Sequence, residues 1–193
     1  MHKPVHIDDP LFVWLARQVS QRPLDPYDFD VVWGYVRTPM IEATKNPPLA
    51  SYWLACGAAF GGWSEATLHL TMMAPAVASI VGVYFLAAAL RAPPLASALL
   101  TLAMPVWLVS ASTLMCDTLL LACWLWAIWA WLCGLESQRV GWLLAAAVLI
   151  AAAALSKYFG LALIPLLAAV AWRRRGWRLS WAFPLVLAIG LVG

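Results

Sequence analysis

The sequence predicts an all-α polytopic membrane protein, with an outer loop of amphipathic juxtamembrane helices ahead of a bundle of spans. Three observations predict it. Of 193 residues, 64% are hydrophobic and 11% charged, against about half and a quarter in a soluble domain. From Thr71 onward, apolar runs of helical length follow one another between short polar turns. Thirteen Trp suit the aromatic belts of a bilayer. A net charge of +3 is too small and too scattered to suit nucleic acid, so the expected surroundings are membrane lipids. Cys56, Cys116, Cys123 and Cys133 have no CxxC spacing and read as small apolar side chains. Residues 1–30 hold five Asp and no apolar core, unlike a signal peptide.

In chain order, residues 1–70 form the outer-face unit. Asp9-Pro10 followed by LFVWLARQVSQR reads as a short amphipathic helix. Leu11, Trp14, Leu15 and Val19 share one face, opposite Arg17, Gln18, Gln21 and Arg22. Asp9 is placed at the N-cap and Pro10 at the first helical position. Residues 23–48 hold five Pro and read as an ordered loop. Pro47-Pro48 then opens LASYWLACGAAFGG, a run too short to span, expected at the interface and ending at Gly61-Gly62. Residues 71–193 form the bundle. Its spans are expected at 71–90, 95–112, 118–135, 140–156 and 159–172, with a further one from 180 that the chain end truncates at 193. The chain is expected to be a piece of a longer protein, since no span precedes the outer segment to carry it across.

Lys and Arg set the orientation. Alternate turns place Arg91, Arg139, Arg173, Arg174, Arg175 and Arg178 on one side, which the positive-inside rule makes cytoplasmic. Residues 1–70, with seven acids against five Lys and Arg, then face outward with Asp117 and Lys157.

Asp117 is the lone charge between Arg91 and Glu136. In a membrane such a residue is first a functional candidate, while the alternative is a cap on the helix that begins beside it. Asp8, Asp9, Asn46, Asp117 and Lys157 all fall on the outer face. Carboxylates and a lysine there suit an anionic, membrane-borne substrate: a carboxylate can take a proton from a nucleophile, and a lysine can hold a phosphate. Each has a plainer reading. Asp9 caps, Lys157 snorkels, and Asp25, Asp28 and Asp30 are solvated loop residues. His2, His6 and His69 lack metal spacing, His6 being the best placed because it precedes the acidic pair. Trp124, Trp126, Trp129 and Trp131 are expected to pack or face lipid.

The order IDDPLFVWLARQ, NPPLASYW, LMCDTLLLACW and LSKYFGLALIPLL resembles the N-terminal half of GT-C membrane glycosyltransferases. The likeness is to the bacterial branch related to protein O-mannosyltransferases and the lipid A aminoarabinose transferase, and covers about residues 6–170. It implies an inverting transfer of a sugar from a polyprenyl-phosphate donor to a lipid, glycan or protein acceptor, at the outer face of the bacterial inner membrane. Asp8 matches the catalytic base and Asp9 the second acid. Asp117 matches the acid of the second outer loop, and Lys157 a basic residue near the donor phosphate. Asn46 stands where many relatives have His or Lys. Some relatives hold a divalent metal ion, for which Asp9 and Asp117 are the candidate ligands. Two competing readings stay open: a transporter or flippase using Asp117 and Lys157 as a coupling pair, and a non-catalytic assembly subunit.

Overall fold

The computed structural model describes residues 8–176 and 179–192, so the expectations for His2, His6 and Arg178 lie outside the described residues. Helix α1 is Asp9–Gln21, with Asp8 at the N-cap position and Pro10 in the first turn. The expected cap was one residue later; Asp9 is already helical and its side chain is drawn inward. Leu11, Phe12, Leu15, Ala16 and Val19 are buried, which is the predicted apolar face except for Trp14. Trp14 is 39% exposed and sides with Arg17, Gln18 and Gln21, because its offsets of three, four and seven residues from them define a single stripe.

Residues 23–48 are more regular than expected. Strands β1 (Asp30–Trp33) and β2 (Val36–Pro39) pair antiparallel, Trp33 opposite Val36. Gly34 and Tyr35 join them, both at positive φ, the signature of the two-residue turn whose twist suits a hairpin. Helix α2 (Met40–Thr44) follows. Helix α3 (Leu49–Gly61) ends at Gly62 as expected. It packs on α1, where the Ser51 hydroxyl donates to the Phe12 carbonyl at 3.1 Å.

Helix α4 (Glu65–Ala89) starts six residues before the expected span, because Ser64 caps it by accepting from the Thr67 N–H. Pro75 lies inside α4 and cannot donate to the carbonyl four residues earlier, that of Thr71. The Trp53 indole N–H donates to that carbonyl instead, at 3.0 Å. Two further indoles bind α4: Trp126 donates to the Ala78 carbonyl and Trp107 to the Ser79 hydroxyl. Three of the tryptophans therefore pin one helix rather than serving only as an interfacial belt.

The expected span 95–112 is two helices, α5 (Pro94–Ala103) and α6 (Pro105–Ala111), bent by 72° at the break. Pro105 holds Met104 in extended geometry. Helix α7 (Asp117–Ser137) and helix α8 (Val140–Ser156) match expectation within two residues. The next segment opens as a 3-10 turn, Tyr158–Ala162, before α9 (Leu163–Arg175). Gly160 lies so close to α8 that a Cβ there would sit 2.3 Å from Ala153 C and Ala154 N. Helix α10 is Leu179–Gly190. Helices α4 and α7 are each long and apolar enough to cross a membrane, as is the bent pair taken together. The protein is a multi-pass membrane protein.

Trp126 reaching Ala78 and Trp129 meeting Phe85 show that α4 and α7 run in the same sense. α8 returns beside α7, and the core between them and α9 includes Trp131, Ile150 and Leu163. Ion pairs mark the two ends of α7: Asp117–Lys157 at 2.7 Å and Glu136–Arg174 at 3.5 Å. Over 21 residues the helix separates them by roughly 30 Å. The arginine-rich turn and the Asp117–Lys157 end thus lie at opposite ends of the bundle.

Candidate active site at the Asp117–Lys157 end of the bundle

The turn 112–116 between α6 and α7 is the hinge of the site. Its Leu114 N–H, buried with the rest of that residue, has no helical partner. The Asp9 carboxylate accepts it at 2.9 Å, across 105 positions of sequence. Asp9 itself is 1% exposed. A buried N–H without a partner would cost more than the bond contributes, so Asp9 fixes how α1 sits against the start of α7. This is a heavier role than the expected cap.

Three residues beyond Leu114, Asp117 opens α7 and receives the Lys157 ammonium at 2.7 Å. Both side chains are a little over one-third exposed. Lys157 follows the last residue of α8 in extended geometry, and the Gly160 N–H donates to its carbonyl at 2.8 Å, so the close-packed 3-10 turn holds its backbone. The hydrogen bond to Asp117 raises the Lys157 pKa against the opposing effect of burial, and the lysine stays charged. Cys116 is buried beside the pair, and burial, then the Asp117 charge, push its thiol up to about 12. It is a packing residue rather than a nucleophile.

Asp8 is partly exposed. Its side chain makes no capping hydrogen bond, and no ion pair among the described residues engages it. Asn46 is turned into its own loop: its side-chain amide donates to the Thr44 carbonyl at 2.9 Å, and its backbone carbonyl accepts from the Tyr27 hydroxyl at 2.7 Å. Arg22 pairs with Asp28 and Arg37 with Asp30, on the exposed surface as expected.

One group was missed in the sequence. Burial, then the neighbouring phenols of Tyr158 and Tyr52, raise the Tyr27 pKa and keep it a neutral donor. Tyr52 in turn donates to the Pro23 carbonyl. Tyr27 thus ties down the Asn46 backbone and Tyr52 the Pro23 backbone, with Tyr158, the residue after Lys157, close to Tyr27. Three tyrosines spread over 132 positions of sequence (27 to 158) form no local pattern that could have announced this.

An open cleft of about 360 Å³ begins at Asp117, Thr118 and Ser110 and continues between Val83, Met104 and Leu121. Its polar end carries the carboxylate and its walls are apolar. The donor set for a metal is poor. The Asp117 carboxylate is taken by an ammonium and Asp9 by a backbone N–H, and among the described residues no three His, Cys, Asp or Glu side chains gather. The arrangement does not fit a metal between Asp9 and Asp117.

No curated protein and no solved structure matches the chain. The family model described as dolichyl-phosphate-mannose-protein mannosyltransferase matches residues 45–193, a stretch that contains Asn46, Asp117 and Lys157 and leaves Asp8 and Asp9 outside it. With that match over most of its length, the chain belongs to the dolichyl-phosphate-mannose-protein mannosyltransferase family, a family of GT-C membrane glycosyltransferases.

Proposed function

We propose that this end of the bundle transfers a sugar from a polyprenyl-phosphate donor to an acceptor at the outer face of the bacterial inner membrane, with inversion. The observation that supports the reading is the Asp117–Lys157 ion pair, with the Asp9–Leu114 hydrogen bond that ties the start of α1 to the turn just before Asp117. Lys157 binds the donor phosphate. Its ammonium has three N–H groups, of which Asp117 takes one, leaving donors for the phosphate oxygens. Asp117 positions Lys157, and the apolar cleft running from it suits the first isoprene units of the carrier. The acceptor oxygen attacks the anomeric carbon as the bond from that carbon to the phosphate oxygen breaks. The electron pair leaves with polyprenyl phosphate, whose charge Lys157 offsets, and the acceptor proton passes to Asp8. Of the two carboxylates of the pair, Asp8 is the accessible one, whereas Asp9 is committed to the fold.

The family assignment supports the transferase class, and the placement of Asp117 and Lys157 at helix ends favours a surface reaction over a mid-bilayer coupling pair. A strain lacking the gene is expected to accumulate a polyprenyl-phosphate sugar, and re-expression is expected to clear it. A transport defect without any accumulated donor would replace this reading. Single cysteines at positions 28 and 175 are expected to label from opposite sides of the membrane, the first from outside.

A further inference from the structure

We infer that the groove between α1 and the β1–β2 hairpin is a carbohydrate-binding site for a glycan acceptor; the inference rests on the transferase reading above and specifies its acceptor. The groove is open to solvent, holds about 510 Å³ and is lined by Trp14, Arg17, Gln18 and Gln21 of α1, by Phe29 and by Asp30 to Val32 of β1. That volume is in the range of small-ligand sites, about 300–1,000 Å³. Four lining residues of α1 form a single stripe, at positions 14, 17, 18 and 21. A sugar ring has an apolar C–H face and a rim of hydroxyls, each both donor and acceptor. The stripe offers the match: an indole face 39% exposed, two amides that donate and accept, and a guanidinium that donates.

The polar partners are held in place. The Gln18 amide donates to the Asp25 carbonyl at 3.2 Å. The Arg17 guanidinium lies over the Trp63 ring, 5.4 Å from its centroid, and Asp30 accepts from Arg37 at 2.9 Å. A lipid tail could bury apolar area against Trp14, Phe29, Val31 and Val32, but it would leave the amides and the guanidinium of the stripe without partners. A peptide could add to the β1 edge, but a four-residue strand offers few ladder bonds, and the row of amide and guanidinium groups on α1 would go unused. Position along the helix also fits an extended glycan. Trp14 is six residues and Gln21 thirteen residues beyond Asp8, roughly 9 and 20 Å along the axis. A chain lying in the groove would direct one end toward Asp8.

The test is saturation-transfer NMR on the full chain in nanodiscs, with mannotriose, chitotriose and maltotriose as probes and a Ser/Thr-rich peptide as the alternative ligand. At least one trisaccharide is expected to bind. Trp14→Ala is expected to weaken it about 10-fold, the effect of removing one aromatic anchor. Trp172→Ala, whose side chain is 68% exposed on α9, is expected to leave it unchanged. Gln18→Ala, a second change at a half-buried position, is expected to weaken binding too, and the fold of both variants is checked by thermal unfolding. No binding of any trisaccharide, equal binding by folded Trp14→Ala and Gln18→Ala, or binding of the peptide alone would overturn the inference. Donor accumulation in the deletion strain is read separately, so the transferase reading can survive the loss of this groove.

Discussion

Asp9 is the residue whose replacement separates architecture from chemistry. Its carboxylate is the acceptor for the Leu114 N–H at 2.9 Å, and both residues are 1% exposed, so water cannot substitute. Asp9→Ala strands that N–H, at a cost of about 1–3 kcal/mol. For a chain of this size each kcal/mol corresponds to about 2–4 °C, giving an expected fall in melting temperature of about 2–12 °C. Asp9→Asn keeps an oxygen in the same place and is expected to lose no more than about 1 kcal/mol. The assay is thermal unfolding in detergent, followed by tryptophan fluorescence, with Asp8→Asn as the comparison. Asp8 makes no capping bond, so Asp8→Asn is expected to melt with the parent. If Asp9→Ala melts at the parental temperature, or Asp9→Asn falls as far as Asp9→Ala, the bond to Leu114 does not hold α1 to α7 and the reasoning fails.

Three other outcomes are expected. Trp53→Phe removes the donor that serves the Thr71 carbonyl beside Pro75 and should cost about 0.5–1.5 kcal/mol; Pro75→Ala restores a helical donor, so a double-mutant cycle should show that cost shrinking in its presence. Gly160→Ala places a Cβ 2.3 Å from the backbone of α8 and should cost at least about 1–3 kcal/mol, with weaker donor binding because the displaced turn carries Lys157; parental stability would refute the close approach. Lys157→Met should weaken binding of the lipid-linked donor while leaving the fold intact, since an ion pair more than one-third exposed contributes about 0–1 kcal/mol. The folded pKa of Lys157 is raised above 10.5, so whatever stability the pair contributes is whole below pH 10.5 and is lost only as pH rises past the folded value. Unchanged donor affinity would return Lys157 to a snorkelling role.

The parts of the fold legible in the sequence were those with local signals. Helices α7 and α8 lie between charged turns, so their limits could be placed within two residues. The Gly61-Gly62 stop of α3 was equally plain, Gly62 taking a positive φ. The break at Met104-Pro105 was visible as a proline but was absorbed into a run of apolar residues, and composition gives no bend angle. The hairpin was hidden because its turn uses Tyr35 at φ 68, a residue that seldom announces that geometry. At the site, Asp117 and Lys157 could be placed at one end from topology alone, whereas their contact across 40 positions depends on how α7 and α8 pack. The burial of Asp9 and the outward turn of Trp14 were misjudged for the same reason. A helical wheel gives the direction of a side chain, but only the neighbouring elements decide whether that direction is core or groove.

The central claim is that Asp8 accepts the acceptor's proton while Asp9 holds the scaffold, and rate measurement on the pair tests it most directly. In membranes supplied with the polyprenyl-phosphate sugar, Asp8→Asn is expected to slow transfer by about 10²–10⁴-fold, with donor binding and melting temperature unchanged. Asp9→Asn, which keeps the acceptor for Leu114, is expected to retain most of the rate. Transfer at the parental rate by Asp8→Asn would contradict the account, and a dead Asp9→Asn beside it would assign the base to Asp9 instead.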